Sequence, residues 1–444
     1  LTTSGKARLL SILHNTGWMM LDKFYRLGLA FVIGAIVARY LGPDEYGRLN
    51  FAASFLGVFS GISMMGIDRI IIRDLSKNPD DEPRIIQSLL FLKILALSVT
   101  LLAGFALAVG LNVDDKEVLL MIVLLGSGGL VQFGDILDLS FQARLDVKKS
   151  IPARLVGTTL STGLKVVFVY LGFGVVTFAA IGLVEGASVS AIIFYAYKAS
   201  RGRWPNIRPD WVYCKSILSE SWPLFVALNF DVFYQRYYAI AVGKLMGPKE
   251  VAFFGLATRL LEIVLMLMIL GTASFLPELA RLHALSLREY HRKLGMLTEG
   301  WTLATMLVAV VALFVTEPMI NLVFSSKYQA AAPIFKWMMI VAIFQANGAF
   351  RAMHCTIVGN TKVLLYYNIL SLILSFGVSY MLIPRWGANG AAMSMAIVCA
   401  LNYFFMSYLF PSTRDFFFIQ VKSFLPLHLP SMIGKLIASP KVDE

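Results

Sequence analysis

Apolar residues fill this chain in blocks of about twenty, broken by short polar connections, and a helical block of that length spans the hydrocarbon core of a bilayer. Windows of this kind predict helices near 16–38, 45–67, 85–110, 117–141, 151–172 and 174–198. Six more follow near 218–243, 249–275, 294–316, 332–357, 362–383 and 387–410. The expected fold is an all-α integral membrane protein of about twelve transmembrane helices. The most polar stretch of the middle chain, Lys198–Lys215, contains Arg201, Arg203, Pro205, Arg208 and Pro209 and reads as a connection between two groups of six. This divides the chain into a first bundle at 1–199, a linker at 200–217, a second bundle at 218–410 and a tail at 411–444. Within the tail, Phe416–Ala438 is apolar but interrupted by Lys422, Pro426, His428, Pro430 and Lys435, a pattern suited to the membrane interface rather than to a span.

The two groups share short motifs. Leu41-Gly42-Pro43-Asp44-Glu45 recurs as Met246-Gly247-Pro248-Lys249-Glu250, 205 positions later, and Ala52 and Ala257 match at the same offset. Gly174 and Ala179 correspond likewise to Gly387 and Ala392. A repeat of six spans, being even, predicts halves of the same orientation related by an axis along the membrane normal.

Composition supports the membrane reading. Hydrophobic residues make up 58% and charged residues 15%, with a mean hydropathy of +0.72, where soluble chains carry about 25% charged residues. The net charge of +12 does not point to nucleic acid, because no basic tract is interleaved with aromatics. It marks topology instead. Lys and Arg in alternate connections divide 24 to 8, which predicts that both termini and the linker are cytoplasmic. No small-residue cleavage site follows Lys6 and Arg8, so the first helix is expected to be retained. Cys214, Cys355 and Cys399 have neither metal-site nor disulfide-framework spacing and are read as inert thiols. Adjacent His354 and Cys355 face different sides of a helix and make no metal pair.

Ionisable residues inside spans are costly, so those present are expected to face a bundle interior or a wet cavity. Asp22 and Arg26 lie four apart in the first span with Lys23 beside them, and Arg259 and Glu262 lie three apart in the eighth. The fourth span carries a polar stripe of Gln132, Asp135, Asp138 and Gln142, and the fifth carries Arg154, Thr158, Ser161 and Lys165. Asn229, Asp231, Gln235 and Arg236 lie in the seventh span, and Asn347, Arg351 and His354 in the tenth. Lys93 and Glu185 stand alone. Isolated groups of this kind usually serve as interhelical glue, whereas rows of them suit a hydrophilic path. The cations Lys23, Arg26, Lys93, Lys165, Arg236, Arg259 and Arg351 suit an anionic ligand, and the planar fork of arginine suits a diphosphate.

The stretch Val37-Ala38-Arg39-Tyr40-Leu41-Gly42-Pro43-Asp44-Glu45-Tyr46-Gly47-Arg48 resembles the close of the first span in the polysaccharide-export branch of the MOP superfamily, the O-antigen flippases. Asp231, Ala257-Thr258-Arg259 and Trp386-Gly387-Ala388-Asn389-Gly390-Ala391 extend the resemblance to about residue 410. It implies two six-helix bundles forming a V in the cytoplasmic membrane, with a central cavity and alternating access. The implied substrate is a polyprenyl-diphosphate-linked oligosaccharide, with membrane lipids and other polysaccharide-assembly membrane proteins as partners. Arg26 and Arg259 fall at positions matching the basic residues that hold the lipid diphosphate in related flippases, and Lys23, Arg236 and Arg351 are further candidates. Asp231, Asp22 and Glu262 are candidates for coupling to protons or sodium, while Gln132, Asp135, Asp138 and Lys165 form the polar stripe. No other cofactor and no catalytic group is expected. A multidrug exporter of the same superfamily is the rival transporter. A glycan polymerase or ligase fits less well, because the longest outer connection, about Thr316–Ala331, has only Glu317 and Lys327 as charges.

Overall fold

The computed structural model describes residues 3–424 except positions 65, 203, 206 and 361. Side chains are described from residue 17, apart from positions 19, 64, 69, 223, 224, 226–231, 234, 235, 267, 269, 270, 273, 362 and 412. Every regular element among these residues is helical: α1 Thr3–Met64, α2 Asp68–Lys77, α3 Glu82–Gly110, α4 Lys116–Val131, α5 Asp138–Ala143, α6 Ile151–Leu171, α7 Val175–Arg201 and α8 Trp211–Met246. The remainder are α9 Pro248–Ala273, α10 Leu276–Leu285, α11 Leu287–Val323, α12 Ala331–Ile357, α13 Lys362–Leu401, α14 Ser407–Leu409 and α15 Arg414–Ser423. Among the described residues, six stretches are long and apolar enough to cross a membrane: Met20–Ser63, Pro79–Gly110, Lys116–Ala143, Val175–Arg201, Leu287–Val323 and Val363–Leu409. The protein is a multi-pass membrane protein.

The chain forms two compact units, Leu1–Lys244 and Leu245–Glu444. The first therefore includes α8, which the sequence placed in the second half. Its start is tied to α2 and α3: Arg73 pairs with Glu220 at 2.5 Å, Arg84 with Asp210 at 2.5 Å, and Phe91 meets Trp211 edge to face.

The repeated Gly-Pro motif has a physical basis. Gly42 breaks α1 with φ 74° and ψ 173°, and Gly247 opens α9 with φ 89° and ψ 174°. Both conformations lie where a Cβ is strongly disfavoured, and the following Pro43 and Pro248 begin the next helical arm, where a missing N–H costs nothing. The matched pair Gly174 and Gly387 does not share a conformation, since Gly174 is extended at φ −74° and Gly387 has φ 57°.

Between α4 and α5 the chain tightens into a 3-10 segment, Gln132–Leu137, where the sequence suggested an uninterrupted helix. Small residues permit it. Gly128 in α4 and Gly186 in α7 approach so closely that a Cβ on Gly186 would stand 2.5 Å from the Gly128 carbonyl oxygen. Ser190 donates to the Val131 carbonyl at 2.6 Å and accepts from the Gly134 N–H at 3.2 Å, satisfying backbone groups where the ladder changes.

In the second unit, Ser286 caps α11 by accepting from the Glu289 N–H. The tail segment expected at the interface begins as α15, whose Phe416, Gln420 and Ser423 are buried. Asn347 donates to Thr302 and Ser423 at 3.1 and 3.0 Å, and Gln420 donates to Asn347 at 3.1 Å, fastening α15 to α11 and α12. The tail beyond Phe424 lies outside the described residues.

Candidate functional site

In the first unit the polar stripes converge. A 3-10 segment has three residues per turn, so Gln132, Asp135 and Asp138 fall in line along one edge. The Arg26 guanidinium grips Asp22 through two parallel bonds, Nε to Oδ1 at 3.0 Å and a terminal nitrogen to Oδ2 at 2.8 Å. Arg154, from α6, pairs with Asp138 at 2.6 Å and reaches Asp22 at 3.8 Å. Asp22 and Asp138 are only 3% and 2% exposed, so their charges depend on these partners. Gln132 donates to Asp135 Oδ2 at 2.8 Å, while Asp135 Oδ1 is buried with no hydrogen-bond partner among the described residues. Lys93 donates to the Ser63 carbonyl at 2.9 Å, and Thr158 to Glu185 at 3.3 Å. Lys165 is half-buried and engaged.

This group joins α1, the α4–α5 segment and α6 through alternating charges. Arg154, which the sequence places in the polar stripe of the fifth span, is its hub. The stripe was visible in the sequence, but only the rotation of α6 toward α1 and α5 reveals the partners of Arg154. Arg26, expected to meet a diphosphate, is here neutralised by Asp22.

The second unit differs. Arg351 is 5% exposed. It donates to the Asn402 carbonyl at 2.9 Å, the Asn402 side chain at 2.7 Å and Ser407 at 3.1 Å, and its guanidinium lies over Tyr367 and Tyr403 at 4.1 and 4.5 Å. Asn402 starts a π-helical turn, Asn402–Met406, whose altered ladder leaves its carbonyl open to Arg351. The expected diphosphate role thus meets a side chain whose terminal nitrogens are taken by protein groups. Only its Nε lacks a partner among the described residues.

Arg259 and Glu262 are both exposed on α9. Among the described residues Arg259 makes no ion pair or hydrogen bond, and Lys23 is likewise exposed and unpaired. Glu262 is engaged elsewhere. Arg236 is exposed, with its stem so close to α1 that a Cβ on Gly57 would stand 3.1 Å from its Cδ. The Asp231 side chain lies outside the described residues. Glu299 on α11 is a carboxylate only 2% exposed that the sequence reading passed over within an apolar run. No group of three or more His, Cys, Asp or Glu residues suited to a metal occurs among the described residues.

Among solved structures, the chain is similar to an inward-facing multidrug resistance MATE family transporter of the MOP superfamily, with TM-score 0.69 and 14% identity over 89% of this chain and 94% of that one. It is similar to the lipid II flippase MurJ in an inward closed conformation, with TM-score 0.60 and 15% identity over 93% and 92%. The MATE multidrug transporter DinF-BH gives TM-score 0.59 and 16% identity over 94% and 97%. These likenesses establish the fold. No curated protein matches in sequence. The polysaccharide biosynthesis protein family matches residues 12–283, more than half of the chain, and the protein belongs to that family.

Proposed function

We propose that the protein flips a polyprenyl-diphosphate-linked oligosaccharide from the cytoplasmic to the outer leaflet of the cytoplasmic membrane by alternating access. The observation that carries this reading is membership of a polysaccharide biosynthesis family by a chain with the fold of MOP-superfamily transporters. Moving sugars and a diphosphate through hydrocarbon without partners is prohibitive, and a hydrophilic path between helices removes that barrier without breaking a bond. The protein then acts as a transporter and not as an enzyme. Divided at Gly42 and Gly387, α1 and α13 each supply two arms, which brings the long helical arms among the described residues to twelve, an even number that leaves both ends of the bundle on one side of the membrane.

Arg259 is the leading diphosphate ligand in this reading, because it is exposed and without a partner among the described residues, while Arg26 and Arg351 are engaged by protein groups. Lys23 and Arg236 are auxiliary cations. Asp231 and Glu262 are the candidates for proton or sodium coupling, and Asp22 would join them only after releasing Arg26. O-antigen precursors are the substrate class favoured by the motif resemblance. The multidrug alternative rests on the likeness to MATE transporters, but cationic drugs favour surplus carboxylates, which the exposed cations Arg259 and Lys23 oppose.

A flipping assay in proteoliposomes with defined lipid-linked oligosaccharides tests the reading. Wild type should move the glycan across the bilayer without changing its mass. Arg259→Ala should abolish movement, Arg259→Lys should restore it partly, and neutralising Glu262 together with Arg259 should not rescue it. Full transport by Arg259→Ala at normal expression rejects the assignment, and a product of altered mass rejects the flippase.

A further inference from the structure

In the first unit, α3 and α8 are clamped at one end and separate beyond it. The clamped end is ionic and aromatic: Arg84 pairs with Asp210, the Asp210 N–H donates to Ser88 Oγ at 3.0 Å, and Phe91 meets Trp211. Past that clamp each helix presents an i, i+3, i+4, i+7 face. On α3 this is Leu92, Leu95, Ala96 and Val99; on α8 it is Leu218, Ser221, Trp222 and Phe225. Two such faces normally interdigitate. Here they, together with Ile62 of α1, enclose an open slot of about 340 Å³ in which Ser221 is the one small polar residue among the described lining residues.

We infer that this slot between α3 and α8 holds the isoprenoid chain of the lipid-linked substrate while its diphosphate is bound. Three observations identify the occupant. The lining offers water almost no hydrogen bonds, and a water needs two to four polar partners to stay, so the filler is hydrocarbon. The slot is rimmed by exposed Leu95, Val99 and Trp222, whereas the ion pair that joins α3 to the start of α8, Arg84 with Asp210, lies before it along both helices, so the filler enters from lipid and not from solution. The helices that bound the slot also carry Lys93 and Arg236, which gives one amphiphile an apolar place and cations on the same elements. A chain leaving bulk lipid gains no hydrophobic energy, so its preference for the slot comes from filling a void and from the anchored diphosphate. The inference rests on the proposed function for its choice of lipid, and on the slot alone for its hydrocarbon character.

Photocrosslinking separates these. A polyprenyl diphosphate carrying a photoreactive group near the end of its chain is added to the full-length protein in nanodiscs, and labelled peptides are mapped. Label should concentrate on residues 91–99 and 218–225. Ala96→Phe and Leu95→Trp, which fill the slot from its wall and from its mouth, should each cut labelling there by about tenfold or more. Leu102→Trp, at a 68% exposed position farther along α3, should leave it unchanged. Leu95 is already half exposed, so its replacement remains informative if Ala96→Phe fails to fold. Label distributed elsewhere overturns the inference, as does equal labelling of the filled variants. So does a photoreactive phosphatidylglycerol that labels the slot and is not displaced by excess polyprenyl diphosphate. Slot labelling by the polyprenyl probe in a protein that flips no lipid-linked glycan upholds the site and removes the transport reading. Transport intact in both filled variants upholds the transport reading and removes the site.

Discussion

Arg154 in the first unit and Arg351 in the second both sit in apolar helices, yet their surroundings are opposite. Arg154 is neutralised by Asp138 and Asp22, carboxylates of two other elements. Arg351 meets a carbonyl, an amide, a hydroxyl and two tyrosine rings, and no carboxylate among the described residues. The first arrangement is a charge network whose members need one another. The second is a cation solvated by neutral dipoles and aromatic faces, which tolerates the loss of the charge better than the loss of its shape. One chain thus holds intramembrane arginines by two mechanisms, and substitutions distinguish them.

The largest effect should come from Arg154→Leu. It leaves Asp138 buried without a counter-ion and removes the second partner of Asp22, a loss of about 3–5 kcal/mol by analogy with broken buried pairs. Thermal unfolding of the purified protein in nanodiscs measures it. Adding Asp138→Asn should recover most of the loss, because the stranded charge is then gone. A double variant no more stable than Arg154→Leu would show that Arg154 acts through packing.

Arg351→Leu should cost less, about 2 kcal/mol for the lost hydrogen bonds and cation–π contacts. Since no carboxylate is stranded, neutralising Glu299 should not rescue it. A loss equal to that of Arg154→Leu would erase the contrast between the two units.

That contrast was only partly legible in the sequence. The helical arms followed from apolar block length, and the breaks at Gly42 and Gly247 followed from Gly-Pro pairs whose backbone only glycine adopts readily. Asp22 and Arg26 were readable as a pair because four residues bring them onto one helical face. The Arg154 contacts were not, because they depend on how three separate elements are rotated about their axes. The stripe Gln132, Asp135 and Asp138 was visible, but its true alignment needed the 3-10 segment, which Gly134 packing on Ser190 of α7 permits. Arg351 looked like a ligand because sequence reports a charge in a span and not the two tyrosines beneath it.

The backbone offers a further contrast between the repeated motif and an unrelated turn. Ser325 has φ 88° and ψ 161°, close to Gly42 and Gly247, but carries a side chain, and its hydroxyl is buried without a partner among the described residues. Ser325→Gly should stabilise the protein by about 1 kcal/mol, the relief of strain exceeding the added freedom of the unfolded chain. Gly247→Ala should do the reverse, losing about 1–3 kcal/mol. Paired thermal midpoints test both. Destabilisation by Ser325→Gly would show that its neighbours hold this conformation without strain.

The smallest effect concerns Asp210, at the clamped end of α3 and α8. The backbone N–H of Tyr213 and then the Arg84 guanidinium hold its carboxyl below the ordinary carboxylate range. A depressed folded-state value means that the ionised form stabilises the fold. That contribution is complete above the unfolded value of about 3.9 and is lost as pH falls through the lower folded value. Wild type should therefore exceed Asp210→Asn in thermal midpoint at neutral pH, and the gap should close as the solution is acidified below about pH 4. Because the Asp210 side chain is partly exposed to solvent and Asp138 is buried, added salt should narrow the same gap at neutral pH, whereas the difference between Arg154→Leu and wild type should hardly respond. A gap that is independent of both pH and salt would assign the role of Asp210 to its cap on the start of α8, through the Val212 and Tyr213 N–H groups, and not to its charge.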